Sequence, residues 1–444
     1  MTLSDIARLF NIICESRDIP TGVSIDSRQV KPGHVFIALI GERFDGHDFI
    51  KTAELAGAVA IVCHRRMPDV AVPQWIVPDT LQALAMIAAH HRQQLDAQVI
   101  ALTGSNGKTT VKDMIASILP KPAFATPGNL NNHVGVPLSV LQLQAFHRYA
   151  VFELGANHIG EIAHTVALVK PNVTLINNIA PAHIEGFGSI DGVARAKGEI
   201  HQGLLPNGVA VINDDDAYAH FWDNVLLDKK IIRFSRLKPA EVCARDIAFN
   251  EQGCATFTLS LFNNDTIIQL AVPGIHNVSN ALAAASCTYA LGIGLPDIVS
   301  GLSEFGGVSG RMTFLEGQRQ ATVIDDTYNA NLRSVLTALD VLALRQGLRI
   351  FVFGDMVELG DWSEQHHREV GLAARDLGID RVMTCGIDSE NTARAFGYGA
   401  KHYATHDALI LDLVKHLDAE TTVLVKGSRS SAMERIVHRL TDAS

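Results

Sequence analysis

Short apolar runs and amphipathic stretches alternate along nearly the whole chain. Residues 35–39, 59–62 and 75–77 are uncharged runs rich in Val, Ile and aromatic residues, and the last stops at Pro78. Such runs predict strands buried on both faces. A short helix is expected over 53–58. From Asp79 the spacing predicts a helix to about Leu95, with Asp79 or Thr80 as its N-cap. Further strands are expected at 99–102, 149–153, 173–177 and 209–213, separated by helix-like stretches, one of them over 111–119. Alternation of this kind predicts a doubly wound, parallel sheet. Between Ile231 and Val272 the pattern becomes strand-rich and reads as antiparallel, with turns at 250–253 and 263–265, and a helix over 278–291 closes the unit. After Arg311 the rhythm restarts, with strands at 322–325, 349–353, 381–385 and 422–425.

The expected fold class is therefore α/β in three domains. Residues 1–80 form a small N-terminal α/β domain, 81–311 a central doubly wound P-loop ATPase-type sheet, and 312–444 a Rossmann-like C-terminal domain.

Composition narrows the functional classes. With 444 residues and 47% hydrophobic content the chain can bury several cores. A net charge of −10 with scattered basic residues offers no stripe for a nucleic-acid backbone. The six cysteines lie far apart without a Cys-x-x-Cys pair, the usage of a reduced, cytosolic protein. The first ten residues lack a signal-peptide pattern, and the uncharged run around 281–295 is too short to span a bilayer, so it reads as a buried helix. A soluble cytoplasmic protein without membrane insertion is expected.

The chemistry starts at Thr103-Gly104-Ser105-Asn106-Gly107-Lys108-Thr109-Thr110, placed between a predicted strand and a predicted helix. Glycines let consecutive N–H groups curl toward phosphate oxygens, and the helix adds its positive N-terminal end. Lys108 is placed for the β- and γ-phosphates and the Thr109 hydroxyl for Mg²⁺. The loop is compact: where the general pattern has its first glycine, this chain has Leu102. Polar residues then recur at the C-terminal ends of predicted strands, where open α/β sheets bind ligands: Glu153, Asn177-Asn178 and, just beyond, His183. Lys197 sits in a helix-like stretch over 192–200. Singly, Glu153 reads equally well as a surface acid, His183 as a satisfied loop histidine and Lys197 as a solvated lysine.

Together these segments resemble the Mur ligase family, ATP-dependent enzymes that build the peptide of bacterial cell-wall precursors. The resemblance runs through 24–28, 41–49, the phosphate loop, 128–132, 153–158, 182–188, 196–199 and 274–280. The segments 325–331 (Asp-Asp-Thr-Tyr-Asn-Ala-Asn), 354–360 (Gly-Asp-Met-Val-Glu-Leu-Gly) and 426–429 resemble the branch that adds D-alanyl-D-alanine to UDP-N-acetylmuramoyl-tripeptide. The resemblance implies that Gly104, Ser105, Asn106, Gly107, Lys108, Thr109 and Thr110 hold the ATP phosphates. Asn280 and Arg311 match positions reaching adenine and phosphate, and Asp325 the ribose. Thr109, Glu153, His183 and Lys197 are implied to hold two Mg²⁺ ions, with Lys197 carbamylated; Lys108, Glu153, His183 and Lys197 form the implied catalytic set. Ser27, Arg28, Glu42, Arg43 and Phe44 are implied to bind the uridine diphosphate end. Asn131, Asn132, Asn157 and His158 are implied to contact the muramoyl-peptide, and Asn329, Asn331 and Arg333 to lie near the D-alanyl-D-alanine. A monomer is expected. Two alternatives stay open: a sister ligase adding diaminopimelate or lysine, and a binding protein that uses ATP as a switch.

Overall fold

The computed structural model describes residues 1–41, 44–181 and 184–442. Three sheets organise the chain. The first has four parallel strands, Gly22–Ser24, His34–Ile37, Ala60–Cys63 and Gln74–Ile76. Val35 and Ile37 enter one core, with the helices Leu3–Leu9 and Thr80–Gln93, while Phe36 and Ala38 enter the opposite one. A strand alternates its side chains between faces, so covering both faces demands an unbroken apolar run. The same division recurs in the other sheets: Ile100 and Leu102 face away from Val99 and Ala101, and Phe351 and Phe353 face away from Ile350 and Val352.

The second sheet has nine strands. In order across the sheet they are Asn264–Pro273, Cys254–Leu261, Val242–Phe249, Lys230–Ser235, Val209–Asn213, Val173–Ile176, Gln98–Thr103, Tyr149–Glu153 and Ala123–Ala125. The sequence reading treats everything from 231 to 272 as antiparallel, and here the structure differs. Lys230–Ser235 pairs parallel with both neighbours, and only the strands from Val242 to Pro273 form antiparallel ladders. Parallel neighbours normally need a long crossover. Here Phe234 pairs with Val242 and Ser235 with Cys243, so the strands overlap only at their ends and a short loop suffices. The uncharged stretch forms the buried helix Ile275–Ala290 beneath this sheet.

The third sheet runs Thr313–Glu316, Thr322–Asp326, Thr421–Lys426, Leu348–Phe353, Arg381–Cys385, Ala400–Tyr403, parallel except for its first edge strand. The strand Thr421–Lys426 returns to the middle, between Thr322–Asp326 and Leu348–Phe353. The expected α/β class, with a doubly wound centre and a Rossmann-like C-terminal unit, is the one observed. Asp79 caps the helix Thr80–Gln93 by accepting from Leu81 N and Gln82 N. No helix among the described residues is long and apolar enough to cross a membrane.

Candidate active site

A cleft of about 710 Å³ opens where the C-terminal strand ends of the central sheet meet the C-terminal sheet. Its floor is the loop between the strand Gln98–Thr103 and the helix Lys108–Ile118. Gly107 caps that helix at φ +76°, in the left-handed region that favours glycine. A Cβ there would meet Asn177 Nδ2 and Asn280 Oδ1, each at 2.8 Å, so the loop can close down only without a side chain.

The neighbouring strand end holds the loop's shape. Ser105 N donates to Asn178 O at 2.9 Å, and Asn106 N to Asn178 Oδ1 at 2.9 Å. Asn177 and Asn178 each donate to Asn106 O. Asn280, buried, accepts from Asn177 Nδ2 at 3.1 Å and donates to Asn277 Oδ1 at 3.0 Å. The phosphate loop and the helix Ile275–Ala290 therefore share one amide network.

Lys108 curls back over the loop and donates to Gly104 O at 2.8 Å and Ser105 O at 3.3 Å. Burial pulls its amine below the ordinary lysine range; the Glu153 carboxylate opposes that and the Arg311 guanidinium adds to it. Thr109 donates its hydroxyl to Glu153 Oε2 at 2.9 Å, and Asn131 Nδ2 donates to Glu153 Oε1 at 2.7 Å. Glu153 N in turn donates to Thr126 Oγ1, and Lys112 Nζ to Thr126 O, so a buried lysine braces the acid from behind. Lys197 is 2% exposed, and its Nζ has no hydrogen-bond or ion-pair partner among the described residues. Burial holds its amine well below the usual lysine range, and the charge of Lys108 pushes the same way. A solvated lysine is thus ruled out at this position.

Arg311 Nη2 donates to Thr109 Oγ1 at 2.9 Å, and its guanidinium lies over the Tyr328 ring at 4.1 Å. From the C-terminal sheet Asn331 Nδ2 reaches Asn106 Oδ1 at 2.7 Å, and Arg333 Nη1 reaches Ile179 O at 3.4 Å. Asn329 lines the cleft, as do Thr110 and Asn157.

Other expected residues sit differently. Asp325 turns its carboxylate onto Thr327 N and Thr327 Oγ1, while its neighbour Asp326 lines the cleft. Asn132 lines the cleft and accepts from Gly135 N at 2.8 Å, at the start of the helix Gly135–Gln142. His158 is exposed and is not among the cleft-lining residues. Ser27 and Arg28 follow the first strand of the N-terminal sheet, outside this cleft; Arg28 forms a forked pair with Asp26 at 2.7–3.2 Å. Phe44 is 73% exposed on the same domain. Glu42, Arg43 and His183 lie outside the described residues.

Sequence reasoning passed over the buried pair Lys426–Asp326, joined at 2.6 Å, whose lysine also donates to Asn329 O at 3.0 Å. Its signal was legible in part: Lys426 ends an apolar strand and opens the quoted 426–429 segment. Tyr328 and Asn277 were missed as well, because neither type is diagnostic without a neighbour.

The donor set suits magnesium. The hydroxyl of Thr109, in the first turn of its helix, and the carboxylate of Glu153, at a strand end, are oxygen donors 2.9 Å apart, and Mg²⁺ in nucleotide sites takes one or two such groups plus phosphate oxygens. No group of three or more His, Cys, Asp or Glu poised for a metal exists among the described residues.

A phosphate loop with an adjoining acid, faced by a second Rossmann-like sheet, defines a nucleotide-dependent ligase of the Mur type. Family models agree: the Mur ligase family catalytic domain matches residues 20–92, the Mur ligase middle domain 102–288, and the Mur ligase glutamate ligase domain 310–429. The chain belongs to the Mur ligase family. Within it, the chain is 45% identical over 99% of its length, and 98% of the relative's, to the UDP-N-acetylmuramoyl-tripeptide–D-alanyl-D-alanine ligase of Escherichia coli. It is similar to the crystal structure of MurF from Acinetobacter baumannii, with TM-score 0.92 and 36% identity, covering 100% of this chain and 99% of that one. MurF of Thermotoga maritima, solved with ADP, matches with TM-score 0.83 and 26% identity over 94% of this chain and 96% of that one.

Proposed function

We propose that this protein joins D-alanyl-D-alanine to UDP-N-acetylmuramoyl-tripeptide at the expense of ATP, releasing ADP and phosphate. The observation that carries the reading is the placement of Thr109, Glu153 and Lys197 around one phosphate loop, in a chain whose full-length similarity is to ligases of that name. The tripeptide carboxylate attacks the γ-phosphate and becomes an acyl phosphate; the amine of D-alanyl-D-alanine then attacks the acyl carbon and phosphate leaves. Bringing a carboxylate to a polyanion is opposed by charge. Lys108 meets that charge once ATP draws it off Gly104 O and Ser105 O. Thr109 and Glu153 would hold magnesium, with His183 at a second ion; a bound ion would supply positive charge to the transferring oxygens. Asn131 and Thr126 keep Glu153 aimed.

Lys197 fits carbamylation. A buried amine whose pKa burial lowers is more readily deprotonated, and so nucleophilic toward CO₂; N–C bond formation releases one proton and turns the amine into an anionic oxygen donor. The N-terminal domain, through Ser27, Arg28, Glu42, Arg43 and Phe44, takes the uridine diphosphate end. ATP and UDP-linked substrates place the reaction in the cytoplasm, and a monomer suffices for it, because one chain supplies all of the assigned residues.

The test is ADP release from UDP-N-acetylmuramoyl-tripeptide with and without an amine. D-alanyl-D-alanine should trigger turnover and diaminopimelate should not. Release with diaminopimelate on the dipeptide precursor would favour the sister ligase instead.

A further inference from the structure

Arg311 lies where the central unit passes into the C-terminal one. Its turn is closed by the bridge between Val308 and Arg311 and flanked by Gly310 at φ +73° and Met312 at φ +54°. The guanidinium joins three parts of the molecule. Nη2 donates to Thr109 Oγ1 at 2.9 Å; the Thr109 hydroxyl donates a hydrogen bond to Glu153 Oε2 at 2.9 Å; and Cζ sits 4.1 Å from the centroid of the Tyr328 ring in the C-terminal unit. Nε is buried and has no partner among the described residues. A single cation thus rests against the hydroxyl–carboxylate pair read above as the magnesium ligands, with its flat face on an aromatic ring across the domain junction.

These contacts compete with metal binding. A hydroxyl oxygen that ligates Mg²⁺ turns a lone pair to the ion, and a guanidinium on the same oxygen would stand within a few ångströms of a doubly charged neighbour. Arg311 has hydrogen bonding to gain by leaving, because its Nε is unsatisfied where it lies and a phosphate accepts a guanidinium fork in full. We infer that Arg311 is a placeholder cation: it occupies the Thr109 hydroxyl, itself bonded to Glu153, until the metal–nucleotide arrives, then gives up Thr109, and its stack on Tyr328 passes that displacement to the C-terminal unit. Arg311 is here a positioning residue that couples metal loading to domain placement, and the inference rests on Thr109 and Glu153 being the metal ligands.

The experiment is a Mg²⁺ titration of the full-length protein at saturating ADP, read by ADP dissociation rate and, separately, by small-angle scattering. Wild type should show a scattering change at the same Mg²⁺ midpoint as the change in dissociation rate. Arg311→Met should lower the Mg²⁺ midpoint by about tenfold, since the competitor is gone; Arg311→Gln, which keeps a donor without the charge, should do the same and guards against misfolding of the first variant. Tyr328→Leu should keep the wild-type midpoint in the dissociation rate and lose the scattering change. A midpoint that stays put or rises in both Arg311 variants makes Arg311 an ordinary phosphate ligand and overturns the inference. A wild type without a scattering change, or a Tyr328→Leu that keeps it, overturns the coupling. Thr109→Val separates the two layers: it should abolish the Mg²⁺ response, and a wild-type response in that variant means that the metal reading itself has failed.

Discussion

Lys108 is a half-buried cation whose hydrogen bonds go to two backbone carbonyls of its own loop, an arrangement that holds the amine but does not need it for folding. Lys108→Ala should therefore cut turnover at least a hundredfold, the scale of losing one preorganised charge at a reacting phosphate, while the thermal midpoint moves by only a few degrees. Retained turnover would remove the lysine from the chemistry. His201 behaves in the opposite way. It is 4% exposed beneath the cleft, its Nδ1 pairs with Thr174 Oγ1 at 3.0 Å, and its Nε2 has no partner among the described residues. Burial lowers its pKa to about 4 from 6.5. The unfolded chain protonates this imidazole first as pH falls, so its contribution is whole above about 6.5 and is lost on the way down to about 4, on the order of 3 kcal/mol. Denaturant midpoints measured from pH 7 to 4 should fall more steeply for wild type than for His201→Gln; parallel slopes would refute the assignment. The positions of Lys108 and Thr109 at the start of a helix after a strand were legible beforehand because a phosphate loop is local in sequence. Asn131, expected at the substrate, lines the cleft and also braces Glu153, a contact across 22 residues that has no local signature.

The segment between the strand Thr322–Asp326 and the helix Leu332–Ala343 shows how one stretch serves two ends. Asn331 caps that helix by accepting from Ser334 N, and the same side chain donates to Asn106 Oδ1 in the phosphate loop. The two duties can be separated. Asn331→Ser keeps an N-cap oxygen but is too short to reach Asn106, so stability should change by only a few tenths of a kcal/mol while KM for ATP rises several-fold; Asn331→Ala should add about 1 kcal/mol of destabilisation. Equal ATP kinetics in Asn331→Ser and wild type would dismiss the contact as incidental. Lys426 and Asp326, paired at neighbouring strand ends on the cleft wall, hold the other side of this segment through Asn329 O. Glu199 does similar work two residues beyond Lys197. Its carboxylate accepts from Gly160 N at 2.7 Å and Ala163 N at 3.0 Å, at the N-terminus of the helix Glu161–Val169. The stretch that carries Lys197, the loop before that helix and the helix dipole are thereby tied together.

Across the molecule, the cleft is made by two sheets that each fold around their own pair of cores, with polar and apolar residues mixed along the walls between them. An acyl phosphate must be kept from water, so the sheets should close on their substrates. A fully compact chain of 444 residues has a radius of gyration of roughly 22 Å. Scattering with a non-hydrolysable ATP analogue and UDP-N-acetylmuramoyl-tripeptide should move the radius down toward that value; an unchanged radius would refute closure.

Local chemistry accounts for what the sequence alone determined. Apolar runs with both faces covered specify parallel strands, Gly107 specifies a left-handed turn, and Gly-Lys-Thr after a strand specifies phosphate binding. These are decided by neighbours within a few positions, so they are readable one window at a time. Only the tertiary structure decided that Lys230–Ser235 pairs parallel on both sides, that Asp326 and not Asp325 lines the cleft, that Lys197 is sealed from water, and that Arg311 bridges Thr109 to Tyr328. Each of these depends on which distant segments meet and how much water they exclude. Burial and charge then set the state of a lysine or an arginine in a way that its own sequence neighbours do not.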